Sequence, residues 1–411
     1  MRLIVIGGGA AGIFCAVNAA RMHSALEVIV LEKSNKLLSK VRISGGGRCN
    51  VTHACFEISD IIRKYPRGGN FVKKAFHHFF TTDTIQWFEE RNVPLKTEGD
   101  GRMFPQSDSS ETIIRCLLSE ADKYRVQILM NRDVKNVIRK DLDWSIELGN
   151  GEQMETQFLC VASGGYPKLQ MFNWLQATGH TIQNPVPSLF TFNMPGNPIN
   201  ELMGLVVSEA QVKIRGTKFL ERGPVLITHW GLSGPAVLRL SAWAARELEA
   251  CAYRFEIVIN WLADHNDQSL RNELQQRRTT NATALVQTKN QFGLPNRLWE
   301  FLCGKAGISK DIRWAELSAV KQNLLVKELV HFESSIQGKT IFKEEFVTAG
   351  GVALSEVNAS TMESRLHPNL YFAGEILDVD GVTGGFNFQH AWTSAWISAR
   401  SVVEKITSGN V

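Results

Sequence analysis

The pattern of apolar and polar residues at the N-terminus predicts a strand, a helix and a second strand. Residues 3–6 form a short continuous apolar run, which is typical of a strand buried on both faces. The next apolar residues have helical spacing, since Ala11, Phe14 and Cys15 fall on one side of a helix. A second apolar strand follows at 27–31. This order is the beginning of a βαβ unit in a parallel sheet.

The turn between the first strand and the helix has the glycine pattern G-x-G-x-x-G, at Gly7, Gly9 and Gly12. In a βαβ unit these glycines permit a tight turn, the approach of a pyrophosphate to the backbone, and close packing of helix on strand. Glu32, at the end of the second strand, is placed to bind an adenosine ribose. The pattern predicts a dinucleotide site, against the alternative of a glycine-rich turn without a ligand. FAD and NAD(P) both remain open, and the position at the N-terminus together with the segment after Glu32 favours FAD.

A second glycine segment occupies residues 40–50 and contains three consecutive glycines between Arg42 and Arg48. Glycines leave backbone N–H groups accessible to an anion or a ring edge, and the two arginines can pair with a phosphate or a negatively charged substrate. The alternative interpretation is a flexible surface loop.

A third glycine segment, residues 374–390, follows an apolar run at 369–373 and leads into a helical pattern at 391–403. Ligands of doubly wound sheets bind beyond the carboxyl ends of the strands, so this junction can supply a second wall of the same crevice. We expect the helix N-terminus after Gly384 and Gly385 to face the N1–C2=O edge of a flavin, where negative charge develops on reduction. We interpret Asn387 and Gln389 as ligands of the flavin ring or the substrate.

Seven motifs occur in a fixed order along the chain: GGGAAG, ISGGGRCN, GRMFPQS, ASGGYP, THWGLSGPAVL, VTAGGV and AGEILDVDGVTGGFNFQHAWTSA. Together they resemble the bacterial YhiN/BaiN family of FAD-dependent oxidoreductases over nearly the whole chain. The resemblance implies an α/β fold, with a discontinuous glutathione-reductase-like FAD-binding Rossmann-type domain and an inserted β-barrel plus helical domain. It also implies FAD as the cofactor and, for some members, the reduction of steroid-type enones.

The glycine segments and the resemblance together give the residues that we expect to bind FAD. They are Gly7, Gly9, Ala10, Ala11, Gly12, Glu32, Lys33, Lys40, Ser44, Gly45, Gly46, Gly47, Arg48, Cys49, Asn50, Val134, Ser163, Gly164, Gly374, Glu375, Asp378, Gly384, Gly385, Phe386 and Asn387.

The sequence also predicts a split domain. A strand-to-glycine junction at 161–165 is followed by a Pro-Val-Pro-Ser segment that ends at Ser188, a natural exit from a sheet domain. We expect the FAD-binding domain at 1–188 and 341–411. The inserted domain would then run from 189 to 340. The resemblance implies that it has a β-barrel part, at about 189–262 and 330–340, and a helical part, at about 263–329. The insert has no second G-x-G-x-x-G, so any NAD(P)H donor would dock transiently.

Composition and charge exclude several classes of protein. The 411 residues are 44% hydrophobic and 21% charged, and 45 Lys and Arg against 41 Asp and Glu give a net charge of +4. Without a dense basic block, no nucleic-acid partner is expected. Glycines interrupt the N-terminal apolar run and 223–245 is too broken to span a bilayer, so we expect no signal peptide and no membrane segment. Seven cysteines without a C-x-x-C pair fit neither a disulfide framework nor a zinc site and indicate the cytoplasm.

Arg102, Tyr166 and His229 are the candidates for chemistry on a small-molecule substrate. Arg102 lies in a glycine-containing loop and can bind a carboxylate or enolate oxygen, whereas Tyr166 and His229 can protonate a carbanion. The alternative for His229, which precedes Trp230, is a packed core histidine. Cys49 and Cys55 have C-x5-C spacing instead of the C-x4-C of disulfide reductases, which disfavours a redox-active disulfide. No metal site is expected, because the adjacent His77 and His78 would point about 100° apart on a helix.

The leading functional hypothesis is an FAD-dependent reductase of a conjugated C=C bond or a related small organic acceptor. A flavin amine oxidase that uses O2 is one alternative. A binding protein whose flavin has a structural role is another. The sequence leaves the substrate, the electron donor and the oligomeric state open.

Overall fold

The structure is a computed structural model that describes residues 1–141, 143–288, 290, 292–340 and 347–409. The chain divides into two compact units. Unit 1 comprises Met1–Ser188 and Lys343–Val411, and unit 2 comprises Leu189–Phe342. The expected boundary at 340/341 adjoins residues 341–346, which lie outside the described residues.

Strands and helices occur throughout the part of the chain that the structure describes. The strands of the chain are β1 (Arg2–Ile6), β2 (Glu27–Glu32), β3 (Thr52–His53), β4 (Leu95–Thr97), β5 (Arg102–Pro105), β6 (Gln127–Met130), β7 (Val134–Lys140), β8 (Asp143–Leu148), β9 (Gln153–Thr156), β10 (Phe158–Val161), β11 (Ile182–Ser188), β12 (Thr191–Asn193), β13 (Val206–Ile214), β14 (Leu220–Thr228), β15 (Gly231–Ser233), β16 (Arg254–Asn260), β17 (Phe332–Gln337), β18 (Lys339–Thr340), β19 (Val347–Val352) and β20 (Leu370–Phe372). The helices are α1 (Ala10–Met22), α2 (Ser39–Gly47), α3 (Ile58–Ile61), α4 (Gly69–Phe76), α5 (Thr81–Glu89), α6 (Ser110–Lys123), α7 (Asn173–Gln176), α8 (Pro235–Trp243), α9 (Ala245–Ala250), α10 (Asp267–Thr280), α11 (Asn296–Lys305), α12 (Ala319–Val330) and α13 (Phe386–Thr407).

The centre of unit 1 is a five-stranded sheet in the order β20-β10-β1-β2-β6. Every neighbouring pair in it is parallel, and Val5 of β1 lies between Cys160 of β10 and Val30 of β2. These three residues are fully buried, as expected for a parallel sheet that is covered on both faces. The α/β prediction and the predicted βαβ beginning are confirmed.

Helices α1 and α13 pack together through aromatic side chains. The Phe14 ring lies 5.2 Å from the Trp392 ring and 4.6 Å from the Trp87 ring. Asn18, buried on the same side of α1, accepts a hydrogen bond of 3.0 Å from Trp87 Nε1. This packing belongs to one hydrophobic core with the parallel sheet, so the beginnings of α1 and α13 are held in the same unit.

Three small antiparallel sheets complete unit 1. In the first, β5 lies between β3 and β4, and Thr52 pairs with Met103. The second joins β7, β8 and β9, and the third pairs β11 with β19. The first of these sheets matters for the site because β3 follows the second glycine segment directly.

Unit 2 has a seven-stranded antiparallel sheet in the order β17-β16-β13-β14-β15-β12-β18. The two strands at its ends, β17 and β18, are consecutive in the chain and are joined through Gly338, so the ends of the sheet meet at that residue. Helices α10, α11 and α12 share a core with this sheet. Strand pairing in the described part of unit 2 is antiparallel throughout, so a second parallel dinucleotide-binding sheet is absent from the residues that the structure describes.

The second and third glycine segments each contain part of a helix. The second glycine segment is not a loop throughout, because its first half forms the helix α2, which breaks at Ser44, Gly45 and Gly46. The helical pattern at 391–403 belongs to a helix that begins at Phe386, directly after Gly385, which agrees with the expected N-terminus. None of the helices in the described part of the chain combines the length and apolarity that a bilayer-crossing segment needs.

Candidate flavin site

The first glycine turn has the geometry of a nucleotide-binding turn. A Cβ on Gly12 would lie 1.8 Å from the carbonyl oxygen of Gly7, so only glycine permits α1 to pack this closely on the end of β1. Gly9 caps α1 without a side-chain hydrogen bond, and a Cβ there would meet no atom within 4 Å. The first N–H groups of α1 therefore face open space, which is the arrangement that binds a diphosphate.

Glu32 lies beside this turn, as the ribose assignment requires. Its Oε2 accepts a hydrogen bond of 2.8 Å from the N–H of Gly8, and its Oε1 accepts two from Ser34, from the N–H at 2.9 Å and from the hydroxyl at 2.8 Å. The carboxylate is half-buried and fixed at the end of β2. The neighbouring Lys33 places its ammonium 5.5 Å from the centre of the Tyr166 ring.

Tyr166 is therefore close to the predicted ribose-binding residues. Its ring also packs edge-on against Phe172, with ring centres 4.9 Å apart, and burial raises the pKa of its hydroxyl. The preceding residue, Gly165, lies close to Thr348 and Glu375, since a Cβ there would be 2.6 Å and 2.9 Å from their side-chain oxygens. The role of Tyr166 as a proton donor stays a prediction.

The second glycine segment is linked to the first and to the third. The N–H of Leu38 donates to the carbonyl of Gly8 at 2.9 Å, and Lys40 forms an ion pair of 2.5 Å with Glu375. Glu375 also accepts a hydrogen bond of 2.9 Å from the N–H of Thr348. The structure thus brings together Gly8, Lys40 and Glu375, which are far apart in sequence.

The thiols near the second glycine segment are free in the structure. Cys49 is fully buried, and burial raises its pKa to about 12. Burial also raises the pKa of the partly exposed Cys55 thiol. A neutral, buried thiol is a poor nucleophile.

The third glycine segment forms the beginning of α13. Gly385, the residue before the helix, has φ +94°, and a Cβ there would lie 2.5 Å from the carbonyl oxygen of Thr52. With its carboxamide oriented so that the oxygen faces Gly385, Asn50 accepts a hydrogen bond of 2.9 Å from the Gly385 N–H and donates one of 3.0 Å to the carbonyl of Thr52. No side chain caps the N–H groups of α13 itself. Of the expected FAD ligands, Asn50, Gly385 and Phe386 therefore lie together.

Asn387 and Gln389 have internal partners that sequence reasoning missed. The Asn387 carboxamide forms two hydrogen bonds of 2.8 Å with the N–H and the carbonyl of Gly381. Gln389 is fully buried and bonds to Thr52, Thr84 and Thr393 at 2.6, 3.0 and 3.1 Å. The interpretation of Gln389 as a flavin or substrate ligand is wrong, because its polar atoms hold α13 to its neighbours in the core.

The three arginines singled out from the sequence are all paired with carboxylates. Arg42 pairs with Glu111, whereas Arg48 and Arg102 share the carboxylate of Glu98. Arg102 also forms an ion pair of 2.7 Å with Asp100. The guanidinium groups of Arg48 and Arg102 lie over the Phe104 ring, 4.0 and 5.4 Å from its centre. Arg102 is therefore not the unpaired exposed cation that its position between glycines indicated.

His53 is a residue of this site that the sequence reasoning overlooked. Its ring stacks on Phe386, the first residue of α13, with centres 4.7 Å apart and an angle of 22°. Its Nε2 lies 3.1 Å from the carbonyl oxygen of Asp100, and burial lowers its pKa. The available signal was its position three residues after Asn50, on the strand that follows the second glycine segment.

Several other predicted residues lie near strands. Ser163 and Gly164 follow β10 at the carboxyl end of the sheet, Val134 begins β7, and Asp378 lies after β20. His229 belongs to unit 2, where it is exposed in the turn between β14 and β15 with its ring 4.4 Å from Trp230. It is not the packed core histidine that was the alternative. Among the residues that the structure describes, no cluster of three or more metal-binding side chains occurs. His77 and His78 therefore belong to no such cluster.

Buried polar atoms provide a test of whether FAD fits. His53 Nδ1, Thr348 Oγ1 and His390 Nδ1 are buried and have no hydrogen-bond partner in the described part of the chain. Thr348 and His390 contact Glu375 and Gly374 of the third glycine segment, at 2.9 and 3.2 Å. Buried polar groups are normally satisfied, so unpaired ones around glycine turns and two uncapped helix N-termini fit a polar ligand with phosphates and a heterocycle. The residues present therefore fit FAD.

This fold and site define the class of FAD-dependent oxidoreductases. The family model described as HI0933-like protein Rossmann domain matches residues 1–401, so the chain belongs to that family. The resemblance to the YhiN/BaiN family and the expected enzyme class are thereby confirmed.

Three similar proteins illustrate the family and the fold. The chain is 32% identical to the ribosomal RNA dihydrouridine synthase of Haemophilus influenzae, over 97% of this chain and 98% of that protein. It is 25% identical to the 3-dehydro-bile acid delta(4,6)-reductase of Clostridium scindens, over 98% and 99%. The solved 3-ketosteroid-delta4-(5alpha)-dehydrogenase of Rhodococcus jostii RHA1 has 12% identity and a TM-score of 0.50, over 97% and 96%, and supports the fold alone.

Proposed function

We propose that this protein is an FAD-dependent reductase that adds hydrogen across a C=C bond conjugated to a carbonyl. The observation that carries the proposal is similarity over nearly the full chain to two proteins with related reactions. Dihydrouridine is uridine with its C5=C6 bond saturated, and that bond is conjugated to the C4 carbonyl. A 3-dehydro delta(4,6) bile acid likewise has double bonds conjugated to its 3-carbonyl. Both names thus describe one type of acceptor.

The residues of unit 1 have distinct roles in this proposal. The N-terminus of α1 and Gly9 would bind the diphosphate, and Glu32 the adenosine ribose. The uncapped N-terminus of α13 would stabilise negative charge on the flavin pyrimidine edge. Bound FAD supplies a hydride at N5 for the carbon β to the carbonyl.

Reduction of an enone also requires a group for the carbonyl oxygen, where negative charge develops. Arg102 supports this role best among the three candidates, since its guanidinium is about one-third exposed and is held by Glu98 and Asp100. The two carboxylates lower its net attraction for a free carboxylate and favour a neutral substrate. Tyr166 and His229 stay the candidates for the proton donor.

The test is a stepwise flavin experiment under anaerobic conditions. The purified protein should be yellow and should be reduced by NADH or NADPH, which we propose as the transient donor. A 3-keto-4,6-diene steroid should then reoxidise the flavin with formation of one saturated bond per flavin. A colourless protein that takes up no FAD contradicts the proposal. Reduction by amines with reoxidation by O2 alone would support the amine oxidase, and a flavin that no donor reduces would support a structural role.

A second candidate acceptor is the uracil ring of an RNA, because the Haemophilus influenzae relative is more similar in sequence than the bile acid reductase. This candidate departs from the expectation of no nucleic-acid partner, which rests on the low net charge of +4. Incubating the reduced protein with ribosomal RNA that lacks dihydrouridine, followed by mass spectrometry of the nucleosides, distinguishes the two acceptors. New dihydrouridine supports the RNA, and its absence together with dienone turnover supports the small molecule.

A further inference from the structure

Residues 64–68 form a brace along the third glycine segment. The carbonyl of Lys64 accepts a hydrogen bond of 2.8 Å from the N–H of Val382. Arg67 forms a bidentate ion pair with Asp380, and the backbones of these two residues pair as an antiparallel bridge. The brace therefore holds the segment that leads into α13 at two points.

Tyr65 lies inside the brace and reaches α13 itself. Its hydroxyl donates a hydrogen bond of 2.7 Å to the carbonyl of Phe386, the first residue of α13. Its ring packs against the rings of Phe76 and Phe386, with centres 5.8 and 6.3 Å away. The side chain is only 3% exposed, and the following Pro66 favours the extended backbone that Tyr65 has, with φ −110° and ψ 101°. The direction of the hydroxyl is thus fixed.

The hydrogen bond acts on the first peptide group of α13. Burial raises the pKa of Tyr65 well above its usual value, so the phenol keeps its proton at neutral pH and donates to the carbonyl. Donation to a carbonyl polarises the peptide group and strengthens its N–H as a donor. In this peptide the N–H belongs to Asn387, and no side chain caps the N-terminus of the helix.

In the proposed function, the N-terminus of α13 stabilises negative charge on the pyrimidine edge of the flavin. This stabilisation depends on the direction and the polarity of the first peptide groups of the helix. We propose that Tyr65 is a positioning residue of the flavin site, which fixes and polarises the peptide between Phe386 and Asn387. Because Tyr65 is buried, it acts through this peptide and not by touching FAD. The proposal rests on the FAD binding in the proposed function and does not depend on the acceptor substrate.

Tyr65→Phe removes the hydroxyl and keeps the ring between Phe76 and Phe386. The negative charge is present on reduced FAD and not on oxidised FAD, so the two forms should respond differently. We expect the Kd for oxidised FAD to stay nearly unchanged and the Kd for reduced FAD to rise about threefold. For a two-electron couple this ratio corresponds to a reduction potential lower by about 14 mV. Anaerobic equilibration with a redox dye measures the potential, and flavin fluorescence measures the Kd for oxidised FAD.

Thr156→Val is the matched control, since it also removes a buried hydroxyl that donates to backbone carbonyls. Thr156 is fully buried and donates to Arg2 and Phe158, at 2.8 and 2.9 Å. Those residues begin β1 and β10, at the opposite end of the parallel sheet from the glycine turns. The control should lose stability in urea unfolding as Tyr65→Phe does and keep the native potential. Equal potentials of the native protein and Tyr65→Phe would overturn the proposal.

Nuclear magnetic resonance of the apoprotein tests the contact without flavin. Labelling with carbonyl-13C Phe and 15N Asn selects three Phe–Asn peptides, at 172–173, 192–193 and 386–387. Tyr65→Phe should shift the carbonyl resonance of the 386–387 peptide and leave the other two in place. If all three resonances keep their native positions, Tyr65 does not act on the beginning of α13 and the proposal is wrong.

These measurements distinguish failure of the Tyr65 proposal from failure of the proposed function. If FAD binds with a normal Kd and Tyr65→Phe leaves its potential unchanged, the Tyr65 proposal fails and FAD binding stands. If the potential falls in Tyr65→Phe but no enone or uracil is reduced, the reductase function fails and the role of Tyr65 stands. A protein that takes up no FAD contradicts both.

Discussion

The carboxylate of Glu32 accepts a hydrogen bond of 2.8 Å from the backbone N–H of Gly8. The contact joins the end of β2 to the glycine turn that precedes α1, so the acid side chain lies directly beside the turn that we propose binds the diphosphate. The hydrogen bonds from Gly8 and Ser34 hold the Glu32 carboxylate in position, so it would be oriented to accept a hydrogen bond from an adenosine ribose before FAD binds.

Glu32→Ala should weaken FAD binding. The substitution removes the acceptor for the ribose and also the bonds that order the turn, so we expect a Kd at least about tenfold higher. The measurement is the ratio of flavin to protein after gel filtration, together with a fluorescence titration. Glu27→Ala, at the exposed beginning of the same strand, is the control and should bind FAD normally. Unchanged FAD occupancy in Glu32→Ala would show that the ribose assignment is wrong.

Gly12→Ala should lower the stability of the fold, whereas Gly9→Ala should lower the affinity for FAD. A Cβ on Gly12 would lie 1.8 Å from a backbone oxygen, so we expect a loss of at least about 2–3 kcal/mol in the free energy of unfolding. A Cβ on Gly9 meets nothing within 4 Å, so the apoprotein should keep its stability and lose FAD affinity through steric contact with the diphosphate. Urea unfolding and FAD titration measure the two effects. A stable Gly12→Ala protein would contradict the close packing.

The parts of the structure that the sequence predicted are those with local signals. The βαβ beginning follows from apolar runs and glycine spacing within about thirty residues, and α13 from its helical pattern. The partners of Arg48 and Arg102 were not predictable, because Glu98 attracts both only when β4 and β5 form a hairpin beside the second glycine segment. His53 was missed for the same reason, since its position depends on Phe386, more than three hundred residues away. Gln389 has the polarity of a ligand, and only the packed core shows that its bonds are internal.

Asp380→Asn should destabilise unit 1 strongly. Asp380 is fully buried, forms a bidentate ion pair with Arg67 and accepts a hydrogen bond of 2.9 Å from Ser188. Removing its charge while Arg67 stays mostly buried should cost about 3 kcal/mol in the free energy of unfolding. Glu27→Gln breaks the exposed pair with Arg2 and should cost less than about 1 kcal/mol. Urea unfolding compares the two variants, and similar losses would contradict the importance of burial.

Acid should destabilise the protein through two buried histidines. Burial lowers the pKa of His180 and of His390 to about 4 each, below the usual value for histidine. The histidines of the unfolded chain bind protons more readily. The contribution of the two neutral histidines to the free energy of unfolding is therefore fully present above about pH 7 and is lost as the pH falls from 6.5 towards 4. The loss by pH 4 should reach up to about 3 kcal/mol for each group. Urea unfolding at a series of pH values measures this slope. His180→Gln, which can still bond to Thr178 and Ser364, should lose less stability on acidification than the native protein. Identical pH dependence of the two proteins would show that His180 does not contribute.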